Sequence, residues 1–182
     1  MKDFKKFGPF AYTAKLRNGL FRNTGACLSP QNAFYNSIGM ETLGLRMERV
    51  CDNAKKLAQF FATEYSDIEV NYPGLAGSKW HNIATEQFGD KFGGIITIRT
   101  GNKKRAFGII DALKLPLIVS NIGDTKTLVI HPESTLNVHS TQEEKETAGV
   151  FDDLIRISVG IEDIDDLIDD FKQAIESVKD VY

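Results

Sequence analysis

Near the end of the chain, Leu154–Val178 reads LIRISVGIEDIDDLIDDFKQAIESV, and this stretch decides the fold. Leu154 to Val159 is rich in β-branched residues and reads as a strand. Gly160 then leads into a helix over 161–178. Ile161, Ile164, Leu167, Ile168, Phe171, Ile175 and Val178 recur at three- and four-residue steps and predict its buried stripe. Glu162, Asp163, Asp165 and Asp166 crowd its first turns, where negative charge suits the helix dipole.

Working backwards, the same alternation of strand and helix recurs. Thr127 to Ile130 and Leu117 to Asn121 read as strands around a turn at Gly123-Asp124. Asn102 caps a helix that runs to Leu113, and Thr141 with Glu144 forms a capping box for a short acidic helix. In GGIITIRT (93–100), Ile96 and Ile98 alternate with Thr97 and Arg99, so the strand has an apolar and a more polar side. A short helix is predicted over 81–88 and a short strand at Ile68-Glu69-Val70. The pattern predicts a two-layer α/β sandwich, a small sheet covered on one face by helices. It leaves parallel and antiparallel pairing open.

The front of the chain is different. Residues 8–22 read as one helix, ended by Asn23-Thr24-Gly25. Ser29-Pro30 starts a long second helix, about 30 to 64, with Gly39 and Gly44 as points where it bends. The expected organisation is therefore a helical arm and connecting helix over 1–64, then a small α/β domain over 65–182.

Composition narrows the function classes. The 182 residues are 42% hydrophobic and carry a net charge of -3, which argues against a nucleic-acid surface and a polybasic membrane contact. No apolar run approaches the ~18 residues of a membrane helix, and the N-terminal residues carry no signal-peptide pattern. The expected protein is cytoplasmic, with no nucleic-acid or membrane partner. Cys27 and Cys51 lie in helix-like contexts and read as partly buried reduced thiols. His81, His131 and His139 lack metal-ligand spacing, so no metal site is expected.

Three segments carry a resemblance: NTGACLSPQNAFYNSIGMETLGLRM (23–47), SNIGDTKTLVIHPES (120–134) and AGVFDDLIRISVGIEDIDDL (148–167). In order and spacing they resemble the C-terminal region of the Cys/Met metabolism pyridoxal-phosphate enzymes, closest to O-acetylhomoserine sulfhydrylases. The resemblance runs from about Phe7 to Ile175. It implies the small C-terminal domain of a fold-type I, aspartate aminotransferase-like transferase, preceded by a helical arm. It also implies a cofactor domain that is absent from these 182 residues, together with the family's Schiff-base lysine. Lys15 follows Tyr12-Thr13-Ala14 without the Gly-His stretch of the family and reads as a solvated helix residue. No catalytic or cofactor-binding residue is therefore expected in this chain. Pyridoxal phosphate is expected as cofactor of the full-length enzyme, without covalent attachment here, and the chain alone is expected to be inactive.

The resemblance places the grip on the substrate's α-carboxylate at Arg156 and puts a small polar residue, Asn121, beside it. A guanidinium fork suits that role because it binds a carboxylate bidentately and stays charged. Read from the residues alone, Arg156 is instead a strand-edge arginine paired to Asp152 or Asp153, and Asn121 a turn-entry residue. Ser120 is expected on the face opposite Asn121. HPESTLNVHS (131–140) departs from the family at Thr135, Leu136 and Asn137, which leaves the substrate open, while His131 reads as structural. The implied partners are an amino-acid substrate and further copies of the chain, as a homo-oligomer. The implied reaction converts O-acetylhomoserine and sulfide or a thiol to homocysteine or methionine. A methionine γ-lyase, a cystathionine γ-synthase or γ-lyase, and a non-catalytic interaction domain are the alternatives.

Overall fold

The structure, a computed structural model, describes residues 2–179. Two compact units divide it, Met1–Thr42 and Leu43–Tyr182. The division falls at 42/43 rather than at the expected 64/65, and the reason is packing. Helix α4 (Leu43–Glu64) buries Val50, Cys51, Ala54, Leu57, Ala58 and Phe61, so it is a core helix of the second unit.

In the first unit, α1 (Ala11–Leu16) passes through a π-helical turn, Arg17–Phe21, into α2 (Arg22–Thr24). Gly25, at φ 61°, ends it in the left-handed conformation that suits glycine. Helix α3 (Pro30–Glu41) starts as the sequence indicates, with the Ser29 hydroxyl accepting from the Asn32 N–H at 3.2 Å and proline in its first turn. It stops at Thr42, where φ is -101° and ψ 3°. The expected long helix is thus two helices, and the break lies at Thr42 instead of a glycine. Cys27 is exposed in the loop between α2 and α3, unlike the expected half-buried helical thiol, whereas Cys51 is buried in α4.

The second unit is built on five strands, β1 (Glu69–Asn71), β2 (Ile95–Arg99), β3 (Leu117–Ile118), β4 (Leu128–Ile130) and β5 (Leu154–Ser158). Their order across the sheet is β1-β2-β5-β4-β3, so the last strand lies at the centre. All neighbours pair antiparallel except β3 and β4, which are parallel. The pairing left open by the sequence is therefore mixed. Four further helices complete the unit: α5 (His81–Phe88), α6 (Lys103–Ala112), α7 (Gln142–Thr147) and α8 (Ile164–Ser177).

Alternation along the strands separates the two faces. Ile96, Ile98, Val129, Ile155 and Ile157 belong to one core with residues of α4, α6 and α8. Phe61 and Phe171 meet edge to face there, with ring centroids 5.3 Å apart. The opposite face carries the row Asn71, Thr97, Arg156 and Ile130 across four strands. No helix among the described residues is long and apolar enough to cross a membrane.

The final helix starts three residues later than expected, with Asp163 as its cap. Glu162 is therefore not a first-turn acid. Its carboxylate accepts from the Thr127 hydroxyl at 2.9 Å and from the Thr127 N–H, while the Thr127 hydroxyl accepts from the Gly160 N–H at 3.0 Å. Buried Asn53 on α4 donates to the carbonyls of Gly160 at 3.1 Å and Glu162 at 2.9 Å. A Cβ on Gly160 would lie 2.4 Å from the Thr125 carbonyl oxygen, so only glycine fits there. Asn53→Ala leaves buried acceptors short of a donor and is expected to cost about 1–3 kcal/mol of stability in urea unfolding. An unchanged midpoint would show that this lock holds nothing.

Candidate functional site

Arg156 sits in the middle of the central strand, between Thr97 on β2 and Ile130 on β4. It is on the face away from the helices and is half-buried. Its terminal nitrogen Nη2 donates to the main-chain carbonyls of Ser120 at 2.7 Å and Asn121 at 3.3 Å. Its Nε is buried and has no hydrogen-bond partner. Burial pushes the guanidinium's pKa below its ordinary value, although an arginine stays charged at working pH.

The pairing with Asp152 or Asp153 does not form. Buried Asp153 accepts from Arg99 Nε at 3.0 Å and from the Gly101 N–H at 3.0 Å, so its carboxylate is taken. Arg99 also stacks on Phe151, 4.0 Å from the ring centroid. Among the described residues, no carboxylate forms an ion pair with Arg156. A half-buried cation with a spare donor and no counter-charge is chemically suited to receiving an anion.

Asn121 comes next to Arg156 through its backbone, and its exposed side chain forms no hydrogen bond among the described residues. Ser120 meets the guanidinium through its carbonyl as well, closer than Asn121 does. Their carbonyls orient the guanidinium, a role that sequence reading, fixed on side chains, does not find. Ser158 was missed altogether. It is buried, two residues from Arg156 on the same face, and its hydroxyl accepts from the Gly123 N–H at 3.1 Å. The only sequence signal was the period of two along LIRIS.

The remaining candidates make no hydrogen bond to Arg156 among the described residues. Lys15 is exposed in α1, in the first unit. His131 is buried, bonded to the Asp152 carbonyl at 2.8 Å and the Ser134 hydroxyl at 2.9 Å, and tilted over Phe107 at 4.7 Å. A cleft of about 840 Å³ opens nearby, lined in part by Asn71, Thr97, Arg99, Trp80, Phe151 and Leu154, but Arg156 does not line it. Among the described residues no group of histidine, cysteine and acidic side chains is placed to hold a metal ion.

In the stretch that departs from the resemblance, Glu133 accepts from Lys103 at 2.8 Å and from Lys145. Those two hydrogen bonds hold its carboxyl at about 2.

The sequence profile described as Cys/Met metabolism PLP-dependent enzyme (pyridoxal phosphate) matches residues 8–176. The chain belongs to that family. It is 39% identical over 177 residues to the O-acetyl-L-homoserine sulfhydrylase of Corynebacterium glutamicum, covering 96% of this chain and 40% of the relative. It is 41% identical over 161 residues to an L-methionine gamma-lyase of Fusobacterium nucleatum, covering 88% and 40%. A crystal structure of a putative O-acetylhomoserine (thiol)-lyase from Campylobacter jejuni superposes with a TM-score of 0.84 at 39% identity, over 92% of this chain and 40% of that one. That protein carries an N′-pyridoxyl-lysine-5′-monophosphate. The fold is thus the one the resemblance implied, a small α/β domain of the fold-type I enzymes. The chain spans about 40% of the length of these relatives.

A pH experiment follows from Glu133. Its folded pKa of about 2 lies below the ordinary glutamate value of about 4.3, so its contribution is fully present above pH ~4.3 and is lost as pH falls towards 2. Glu133→Gln is expected to flatten the acid limb of the stability curve in that window and nowhere above it. An identical acid limb in the variant would contradict the pairing.

Proposed function

We propose that the chain is the C-terminal domain of a pyridoxal-phosphate-dependent O-acetylhomoserine sulfhydrylase, and that Arg156 grips the α-carboxylate of the amino-acid substrate. The observation that carries this reading is the guanidinium without a counter-charge on the central strand. Asn121 is the second proposed contact. Its side chain is exposed and has no partner of its own among the described residues, and its main-chain carbonyl accepts from Arg156.

Pyridoxal phosphate supplies the reaction with an electron sink for carbanions. The residues present fit the substrate end of that chemistry: a half-buried guanidinium that has no ion-pair partner among the described residues suits a carboxylate. We assign no residue of this chain to the cofactor itself. The contribution of the chain is to orient the amino acid, with one plane set by the fork and the charge held in place by two carbonyls.

Within this reading, sulfide or a thiol replaces the acetoxy group to yield homocysteine or methionine, in a cytoplasmic enzyme. The likeness to an L-methionine gamma-lyase favours a second reading on the same scaffold, γ-elimination from methionine. Homocysteine against 2-oxobutanoate as the product of the complete enzyme separates the two.

Homo-oligomeric assembly belongs to the same proposal. None of the described side chains of the first unit is buried, and Phe10, Leu20, Phe34, Tyr35, Ile38 and Met40 are exposed. At about 25 cal/mol per Å² such surface favours self-association. Light scattering is expected to find dimers or larger species, and a strict monomer at all concentrations would count against it.

Arg156→Lys keeps the charge but gives up the planar fork. In the complete enzyme it is expected to lower kcat/KM for O-acetylhomoserine by roughly 30- to 1000-fold, equivalent to about 2–4 kcal/mol. Cofactor content, read from absorbance, is expected to stay unchanged. Normal efficiency in the variant would refute the carboxylate role.

A further inference from the structure

We propose that Ser158 is a positioning residue for Arg156, acting through the loop that both side chains hold. The proposal rests on the reading of Arg156 as the carboxylate grip, and deepens it.

Arg156 and Ser158 lie two positions apart on β5, on the same face and about 7 Å apart along the strand. Both reach the same short loop, but they use opposite polarities. Arg156 donates to the carbonyls of Ser120 and Asn121. Ser158 accepts from the N–H of Gly123, whose φ of 77° marks the turn. Farther along, the Ile161 N–H donates to the Thr125 carbonyl at 2.9 Å. The loop is thus pinned at both ends, by the end of β3 and by Thr125, with Ser158 as its side-chain anchor in between.

This matters because nothing else among the described residues hydrogen-bonds to the guanidinium. Among the described residues no carboxylate fixes its plane, and its Nε is unpaired. The two carbonyls are its only hydrogen-bond acceptors among the described residues, and they lie just before the turn at Gly123. Freeing the Gly123 N–H releases the turn, the carbonyls drift, and the fork loses the plane that a carboxylate requires. Ser158 touches no substrate atom in this scheme. Ser158 is buried and helps line a cavity of about 200 Å³, together with Met47, Val50, Ile95, Gly123 and Asp124.

The test uses the 182-residue chain, labelled with ¹⁵N. The Nε–H signal of Arg156 is assigned by its loss in Arg156→Lys, and its exchange with water is measured. Ser158→Ala is expected to speed that exchange roughly 5- to 30-fold, the factor that matches loss of one hydrogen bond to a buried group. The amides of Ile96 and Ile157, in the core of the sheet, are expected to keep their protection. Ser158→Thr retains the hydroxyl and is expected to restore slow exchange, whereas Ser158→Val, of the same shape without it, is not. This pair decides the matter if Ser158→Ala does not fold. An Arg156 signal unchanged in Ser158→Ala or Ser158→Val, with only the Gly123 amide shifted, would overturn the proposal. Equal exchange in Ser158→Thr and Ser158→Val would overturn it as well. Acetate is titrated separately into the unaltered protein. A response of the Arg156 Nε–H supports the carboxylate reading. No response overturns that reading alone and leaves the positioning result to stand on its exchange rates.

Discussion

The charge on Arg156 is the constraint around which this domain is arranged. A guanidinium placed on the central strand of a sheet has to be hydrated, paired or hydrogen-bonded, and here two main-chain carbonyls provide the third solution. The neighbouring acid that would neutralise it is committed elsewhere. Asp153 is bound by Arg99 and the Gly101 N–H, so the sheet holds one satisfied arginine and one that keeps its charge available. The two arginines lie on adjacent strands of the same face, which makes the contrast a matter of partners rather than of location.

The rest of the unit holds that strand in place. The isoleucines on either side of Arg156 belong to the core beneath α4, α6 and α8, so the strand cannot slip by one residue without sending the arginine into that core. Asn53, Thr127, Gly160 and Glu162 close the end of the strand with hydrogen bonds between α4, the residue before β4 and the turn before α8. Asp170 does a similar task on α8, where its carboxylate accepts from the N–H groups of Lys114 and Leu115. These polar contacts tie loops to helices, and they leave the open face of the sheet to the arginine.

Much of this was legible in the residues, and the misses have physical causes. Periodicity found β2, β5, α6 and α8 because their apolar residues face one contiguous core. It overextended α8 by Ile161, Glu162 and Asp163, since an acid before a helix looks the same whether it serves the dipole or caps a neighbouring strand. It merged α3 with α4, because Thr42 carries no breaker signature and the apolar spacing continues across it. Asp170 falls on the buried stripe of α8, and an acid there was a readable sign of a buried backbone contact. Arg156 came from resemblance to a family and not from its strand. The carbonyls of Ser120 and Asn121 and the hydroxyl of Ser158 lie more than thirty residues apart in sequence, and only the fold brings them together. Asn121 was assigned as a side-chain contact, a role that stays a proposal, while its backbone contact was not foreseen.

The most direct test of the central claim is anomalous diffraction from crystals of the chain soaked in bromide. If Arg156 is an anion receptor, an anomalous peak is expected at the accessible part of its guanidinium, and is expected to vanish in Arg156→Met. Bromide at other surface arginines with none at Arg156, or a protein acceptor found on its Nε, would contradict the account.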